Sequence, residues 1–174
     1  MNICKYFLII IIFCNFSVVK SEEIIAYLDM QMVYKNSLAG KALQLDLTKI
    51  KNKLIKDIQA NEKILKKQEA EILSQKNILP KNEYENKISK LKKDIEEYKK
   101  SILENENILK NKQFEANSLL LEQLTPMVVE YSKKNSISIL MDKKNIIIGK
   151  TSLDITEAIV KLLNKKIKKI DLIN

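Results

Sequence analysis

Two stripes of apolar residues run through the middle of the chain, with successive members three or four residues apart over most of their length. The members of the first stripe are Leu43, Leu47, Ile50, Leu54, Ile58, Leu65, Ile72 and Leu79. The second stripe runs through Tyr84, Ile88, Leu91, Ile95, Tyr98 and Ile102, and its register continues through Asn105, Leu109, Lys112, Ala116 and Leu119. A 4-3 repeat of apolar residues is typical of helices that bury a narrow seam against one another.

A short segment containing Pro80 separates the two stripes. We therefore predict an antiparallel coiled-coil hairpin, with one helix over 37–76, the other over 82–123, and a tip near 77–82. At 1.5 Å per residue each helix would be about 60 Å long.

Four polar residues interrupt the stripes and leave two interpretations open. They are Asn61, Gln68, Asn105 and Lys112. A buried polar residue can fix the register of two helices. The same residues would also loosen the seam and make the arms flexible.

The first 21 residues have the pattern of a secretory signal peptide. Lys5 precedes a nearly continuous apolar stretch over 6–19, and Val19 and Ser21 stand at the −3 and −1 positions of a cleavage site. The apolar stretch is short for a membrane span, although an uncleaved anchor is the alternative. Both cysteines of the chain lie in this segment, so the exported part would have no disulfide.

The remaining residues, 22–36 and 124–174, are predicted to form a small β-rich body. The segment 24–29 reads as a buried strand, and 137–142 and 145–148 as two strands of a β-hairpin. The simplest closure places all three strands in one sheet, with the helical hairpin as a long insertion. The fold class is then α+β.

Two local signals predict further helices in the body. Pro126 is expected in or near the first turn of a helix, where its missing N–H is tolerated. Asp154 and Glu157 have the spacing of a capping box at the start of the last helix.

The body holds about 60 residues, near the lower limit for one independent core. Its sheet would carry isoleucine on both faces and have open edges. Oligomerisation through the sheet would cover both. The predicted interface residues are Ile24, Ile25, Tyr27, Ile139, Met141 and Ile147.

Sequence patterns for catalysis or cofactor binding are missing. The chain has no histidine, and both cysteines lie within 1–21, which leaves no Ser-His or Cys-His pair and no usual zinc ligand set. Gly149-Lys150 resembles the end of a phosphate-binding loop, but Lys144 occupies the position of the required upstream glycine. We expect a protein that is not an enzyme and has no cofactor.

The formal net charge is +9, and all 31 basic residues are lysines. Residues 43–120 carry 17 lysines and 13 acidic residues, a net charge of +4. For an exported protein this charge favours unfolded acidic chains, anionic lipid or acidic polysaccharide over nucleic acid. The alternative is that the lysines only keep the outer helix faces soluble.

Several apolar residues of the arms fall beside the stripes or at the tip. They are Ile55, Ile64, Leu73, Ile78, Leu79 and Leu103. Exposed apolar side chains in this number predict a surface that contacts apolar clients.

The ends of the chain resemble the Skp/OmpH family of periplasmic chaperones. The matching segments are IAYLDMQMVY at 25–34, LAGKA at 38–42, LTPM at 124–127, ISILMD with the residues up to 148, and LDITEAIVKLLN at 153–164. The resemblance covers about 24 to 166, and the tail beyond it extends past the usual end of the family.

The resemblance implies a homotrimer whose bodies join through their strands, with three arms around a cavity. It implies a periplasmic holdase that works without ATP and keeps unfolded outer-membrane β-barrel proteins soluble until insertion. The alternatives are a structural or adaptor coiled-coil protein of the envelope and a protein that binds membrane or lipopolysaccharide through its lysines.

Overall fold

The computed structural model describes residues 23–172, so the predicted signal peptide at 1–21 lies outside the described residues. Four α-helices and two β-strands make up this part of the chain. In chain order they are β1 (Ile24–Leu28), α1 (Met30–Asn36), α2 (Leu38–Ser74), α3 (Lys81–Lys134), β2 (Ile137–Asp142) and α4 (Thr156–Lys166). Two short 3-10 turns, Lys143–Asn145 and Thr151–Leu153, lie between β2 and α4.

Helices α2 and α3 form the predicted hairpin. Helix α2 begins after Ser37, whose side-chain oxygen accepts a hydrogen bond from the backbone N–H of Gly40 at 3.0 Å. It ends at Ser74, where the backbone N–H of Gln75 bonds to the carbonyls of the last turn. Pro80 immediately precedes α3, where its missing N–H costs little. The hairpin and its turn therefore follow the sequence pattern closely.

Helix α3 continues through Pro126, and the prediction of a separate helix beginning there was wrong. Proline removes the N–H that would bond to the carbonyl four residues earlier and normally breaks a helix. Here Leu124 and Met127, on either side of it, are both buried in the core. Their packing outweighs the local preference, so α3 reaches 54 residues, about 80 Å.

The sheet has two parallel strands, and the predicted third strand at 145–148 was wrong. Strand β1 pairs with β2 in a register that places Ile25 opposite Ile139 and Tyr27 opposite Met141. After β2 the Asp142 side chain accepts a hydrogen bond from the N–H of Lys144 and starts a 3-10 turn. This cap competes with the hairpin turn that would have returned the chain alongside β2.

Helix α1 was not predicted as a separate element. Asp29 ends β1 and caps the helix, because its carboxylate accepts a hydrogen bond from the N–H of Met32 at 2.9 Å. Val33 is fully buried. The seven residues therefore turn the chain from the sheet into the arm.

The core lies where the two ends of the chain meet the root of the arm. Its fully buried large side chains come from α1, α2, α3 and α4, while Ala26 and Leu28 of β1 close it from the sheet side. The large buried side chains are Val33, Leu43, Leu120, Leu124, Ile159 and Leu163.

The predicted capping box at the start of α4 forms only in part. The Asp154 carboxylate accepts hydrogen bonds from the N–H and the hydroxyl of Thr156. Glu157 turns outward instead and pairs with Lys161 at 2.7 Å. The aspartate therefore orients the helix start without a reciprocal bond from the glutamate.

Substitution of Gly40 tests how closely the backbone segments approach each other at the junction between α1 and α2. A Cβ at this position would lie 2.9 Å from the Ser37 side-chain oxygen and still closer to the backbone carbonyl of Tyr34. Although alanine is the better helix former, the clash with backbone dominates, and we expect Gly40→Ala to lose about 3 kcal/mol or more of unfolding free energy.

Gly149→Ala is the matched control. Its Cβ would meet the ring edge of Tyr27 at 2.9 Å, a side chain that can shift, so we expect a loss of about 1 kcal/mol. Urea unfolding followed by circular dichroism measures both. Equal losses would contradict the close approach at Gly40.

Candidate binding surfaces

The seam between the arm helices is closed by apolar contact along its length. The apolar stripe positions are buried or half-buried, and the most enclosed near the tip are Ile72 and Leu91. The ion pairs of the arm that the described residues show join positions within one helix, such as Glu62 with Lys66 at 2.7 Å. Since such exposed pairs contribute little, the apolar seam holds the hairpin together.

Two open clefts lie between the arm helices around Gln68. One has a volume of about 310 Å³, and a second of about 230 Å³ adjoins it toward the tip. The Gln68 side-chain oxygen is buried without a hydrogen-bond partner among the described residues. Asn61, one of the predicted interruptions, is itself exposed and lines the larger cleft. Two of the four polar breaks, Asn61 and Gln68, therefore line the larger cleft, and the role of all four in register or flexibility stays a prediction.

Five of the six predicted client-binding residues carry exposed side chains. They lie beside the seam positions of α2 and α3 or at the tip, and they are Ile55, Ile64, Leu73, Ile78 and Leu103. Ile78 is the most exposed of them, at 78 %. Leu79 is half-buried in the turn between α2 and α3. The five are distributed along the arm and do not form one compact patch.

Phe114 is an exposed aromatic residue of the arm that the sequence prediction missed. It lies between the seam positions Lys112 and Ala116, so it points away from the α2–α3 contact, and its side chain is 74 % exposed. Leu45 and Ile108 are also exposed and were also missed. An aromatic residue two positions from a seam residue was the signal that could have found Phe114.

The outward face of the sheet carries most of the predicted assembly residues. Ile25, Ile139 and Met141 are exposed on it, and Ile24 is exposed at the start of β1. Ile147, in the segment after the 3-10 turn, is 99 % exposed. The neighbouring Ile148, which was not predicted, is also exposed.

Tyr27 differs from the other predicted assembly residues because its own chain covers it. Its side chain is only 6 % exposed, and its hydroxyl donates a hydrogen bond to the carbonyl of Lys150 at 3.1 Å. Gly149 lies against the ring, where any larger residue would press on it. Tyr27 therefore fixes the 146–150 segment to the sheet.

Lys143 joins three segments of the body. Its ammonium group lies 3.1 Å from the Asp154 carboxylate, 3.8 Å from that of Asp29, and 5.9 Å from the centre of the Tyr27 ring. Burial alone would raise the pKa of Asp154, but the hydrogen bonds from Thr156 and Lys143 outweigh it and hold this pKa below 3.8. The cluster links the end of β1, the first 3-10 turn and the start of α4.

Within residues 23–172 no group of three or more acidic, cysteine or histidine side chains could hold a metal ion. None of the helices in this same part of the chain combines the length and the apolar composition of a membrane span.

These features define a class of protein in which a long helical arm, with apolar side chains on its outer faces, stands on a small body closed by both ends of the chain. A family model described as outer membrane protein (OmpH-like) matches residues 24–163. The chain therefore belongs to the OmpH-like family.

A solved structure from Caulobacter crescentus CB15, described as that of a candidate outer membrane chaperone (OmpH-like), has the same fold. It is 17 % identical to this chain, with a TM-score of 0.78, and the match covers 86 % of this chain and 88 % of that one. Comparison with curated protein sequences finds no match.

The charge cluster gives a prediction for acid stability. Because the pKa of Asp154 is lower in the folded state, ionised Asp154 stabilises the fold at neutral pH, and this contribution is lost as the pH falls through the folded value, below 3.8. Asp154→Asn should be less stable than the wild type at pH 7 and should lose less stability between pH 5 and pH 2.

Urea unfolding at several pH values in that range measures the effect. Asp57→Asn, a change at an exposed aspartate of the arm, is the control and should keep the wild-type slope. An unchanged slope in Asp154→Asn would contradict the assignment.

Proposed function

We propose that this protein is an ATP-independent holdase of the periplasm that keeps unfolded outer-membrane β-barrel proteins soluble before insertion. The proposal rests mainly on the exposed apolar side chains that are spread over both helices of the arm, from Leu45 near the root to Ile78 at the tip. Membership of the OmpH-like family supports it, as does the description of the related structure as a candidate chaperone.

Retention of a client without folding it requires contacts that are numerous and individually weak. Each exposed leucine, isoleucine or phenylalanine contributes at most about 1.5–3 kcal/mol when fully buried, and less when a mobile client covers it in part. Because these side chains are spread along the arm, different segments of one client can occupy different positions. The client can then exchange among them and leave without an energy source.

Charge supplies the long-range part of the same mechanism. The arm residues 43–120 have a net charge of +4, and lysine acts as a hydrated point charge on a flexible stem. Such charges attract acidic clients over about one Debye length, roughly 8 Å at physiological salt, without docking them tightly. Anionic lipid or lipopolysaccharide would be attracted by the same field.

We propose further that three copies assemble through the body. The outward face of the sheet, with Ile25, Ile139 and Met141 exposed, would be covered in such an assembly. Three arms held at a common base would enclose a cavity, and a client inside it would meet apolar side chains from several directions. We propose assembly through the body because the seam residues of the arm already pack against one another within a single chain.

Ile139→Asp tests the assembly surface. A carboxylate at the centre of the apolar sheet face would be desolvated on assembly, which should shift the protein from trimer to monomer at micromolar concentration. Light scattering after size exclusion measures the mass. Ile64→Asp, the same change at an exposed arm position, should leave the trimer intact. A trimer in Ile139→Asp would contradict assembly through this face.

The double variant Leu73→Ser, Ile78→Ser tests the client surface at the tip. Both side chains are exposed, so the helices should persist while the affinity for an unfolded β-barrel protein falls about tenfold. The measurements are suppression of client aggregation and client binding by fluorescence.

Lys76→Ser with Asn77→Ser is the matched control, because it shortens exposed polar side chains at the same tip. Unchanged client affinity in the apolar variant would show that the tip is only a structural turn. Failure of the wild type to suppress aggregation would instead favour a structural or adaptor role.

A further inference from the structure

The chain does not end where helix α4 ends. The match to the family model stops at residue 163, α4 stops at Lys166, and the described chain continues to Leu172. The N–H of Ile167 still bonds to the carbonyl of Leu163 at 2.7 Å, and the backbone of Ile167 itself is extended and leaves the helix. Residues 167–172, the tail segment, therefore lie beyond both the family match and the last helix.

The tail is packed against the body through its apolar residues. Ile167 and Ile170 pack against the core, and Leu172 belongs to it with only 5 % of its surface exposed. The intervening Lys168 and Lys169 are exposed. The apolar side chains of the tail thus face the core and its lysine side chains face solvent, which is the arrangement of a packed segment.

The tail also reaches the first arm helix at Asp46. This carboxylate accepts a hydrogen bond from the N–H of Leu172 at 3.3 Å and one from the ammonium group of Lys49 at 2.9 Å. Its side chain is only 8 % exposed. The bond from Lys49, opposed by burial and helped by the Leu172 N–H, holds the pKa of Asp46 below 3.8, so it is charged at neutral pH. A buried carboxylate requires such partners, and the tail supplies one of them.

Asp46 lies three residues beyond Leu43, the α2 residue that is fully buried in the core of the body. The lower attachment is at the first residue of α2, where the N–H of Leu38 donates to the Asn164 side chain at 2.7 Å. Eight residues of helix, about 12 Å, separate the two attachments. Lys166 meanwhile pairs with Glu130 of α3 at 3.2 Å. Residues 166–172 thus contact both α2 and α3.

We infer that residues 167–172 form a strap that fixes the root of α2 to the body and so sets the angle at which the arm leaves it. The bond at Leu38 and the burial of Leu43 hold the start of α2, and the bond at Asp46 adds a polar attachment about 12 Å along the helix that further restricts tilting of its root. On the proposed function, which this part of the inference assumes, the strap would limit how far the arms spread and hence how large a client fits between them.

Hydrogen exchange of the full-length protein, without client, tests the strap. In Leu172→Ser the anchor is lost, and we expect the amides of 41–50 to exchange about tenfold faster, while those of β1 and of Ile159–Leu163 keep their wild-type rates. Ile170→Ser, at a half-buried tail position, should give a smaller change at the same amides and serves if Leu172→Ser does not fold. Leu45→Ser is the control, because it makes the same substitution at an exposed position next to Asp46.

Wild-type exchange at 41–50 in both tail variants would overturn the inference. Equal acceleration throughout the body would also overturn it, because Leu172 would then be an ordinary core residue with no particular link to the arm. The result is independent of client binding. A strap demonstrated by exchange in a protein that fails to suppress aggregation would refute the proposed function and leave the strap in place.

Discussion

The parallel pairing of β1 with β2 is the contact on which the rest of the structure depends. Two parallel strands cannot be joined by a tight turn, because the chain must return to the side from which it started. In this protein the whole arm serves as that return path: α2 leads away from the body and α3 leads back. The body is thus made from two pieces of chain that have no local reason to meet, and the core beneath them closes only when both are present.

The arm and the body are stabilised in different ways. In the body, Leu43, Leu120, Leu124, Ile159 and Leu163 are fully enclosed, and a charge cluster around Lys143 binds the connecting segments together. In the arm most seam residues are only half-buried, and an open cleft in the middle lies beside a buried glutamine oxygen that has no hydrogen-bond partner within residues 23–172. A two-helix arm has no second layer to cover its outer faces. Apolar side chains placed there remain open to other molecules.

The helical hairpin of the arm could be predicted from the sequence because the apolar repeat that forms it is local and recurs along both helices. Each member of the apolar stripes lies three or four residues from the next over most of their length, and the seam depends on that spacing alone. The body was harder, because its conformation is decided by distant contacts. Burial of Leu124 and Met127 carries α3 through Pro126, and the cap at Asp142 replaces the expected hairpin turn. The spacing also indicated which side chains beside the seam are exposed, as with Ile64, whereas the burial of Tyr27 could not be predicted because a later segment folds over it.

The separation of β1 from β2 also fixes an order of folding events during synthesis. More than 100 residues must follow β1 before its partner strand appears, which takes roughly 5–20 s at ordinary rates of synthesis. Helices whose contacts are local in sequence form in microseconds. The hairpin can therefore form from its tip toward its root as soon as α3 has been synthesised. During this time β1 remains unpaired, and its open edge and apolar face can pair with another chain and cause aggregation. A protein that is proposed to shield other chains from aggregation therefore has an unpaired strand of its own until β2 has been synthesised.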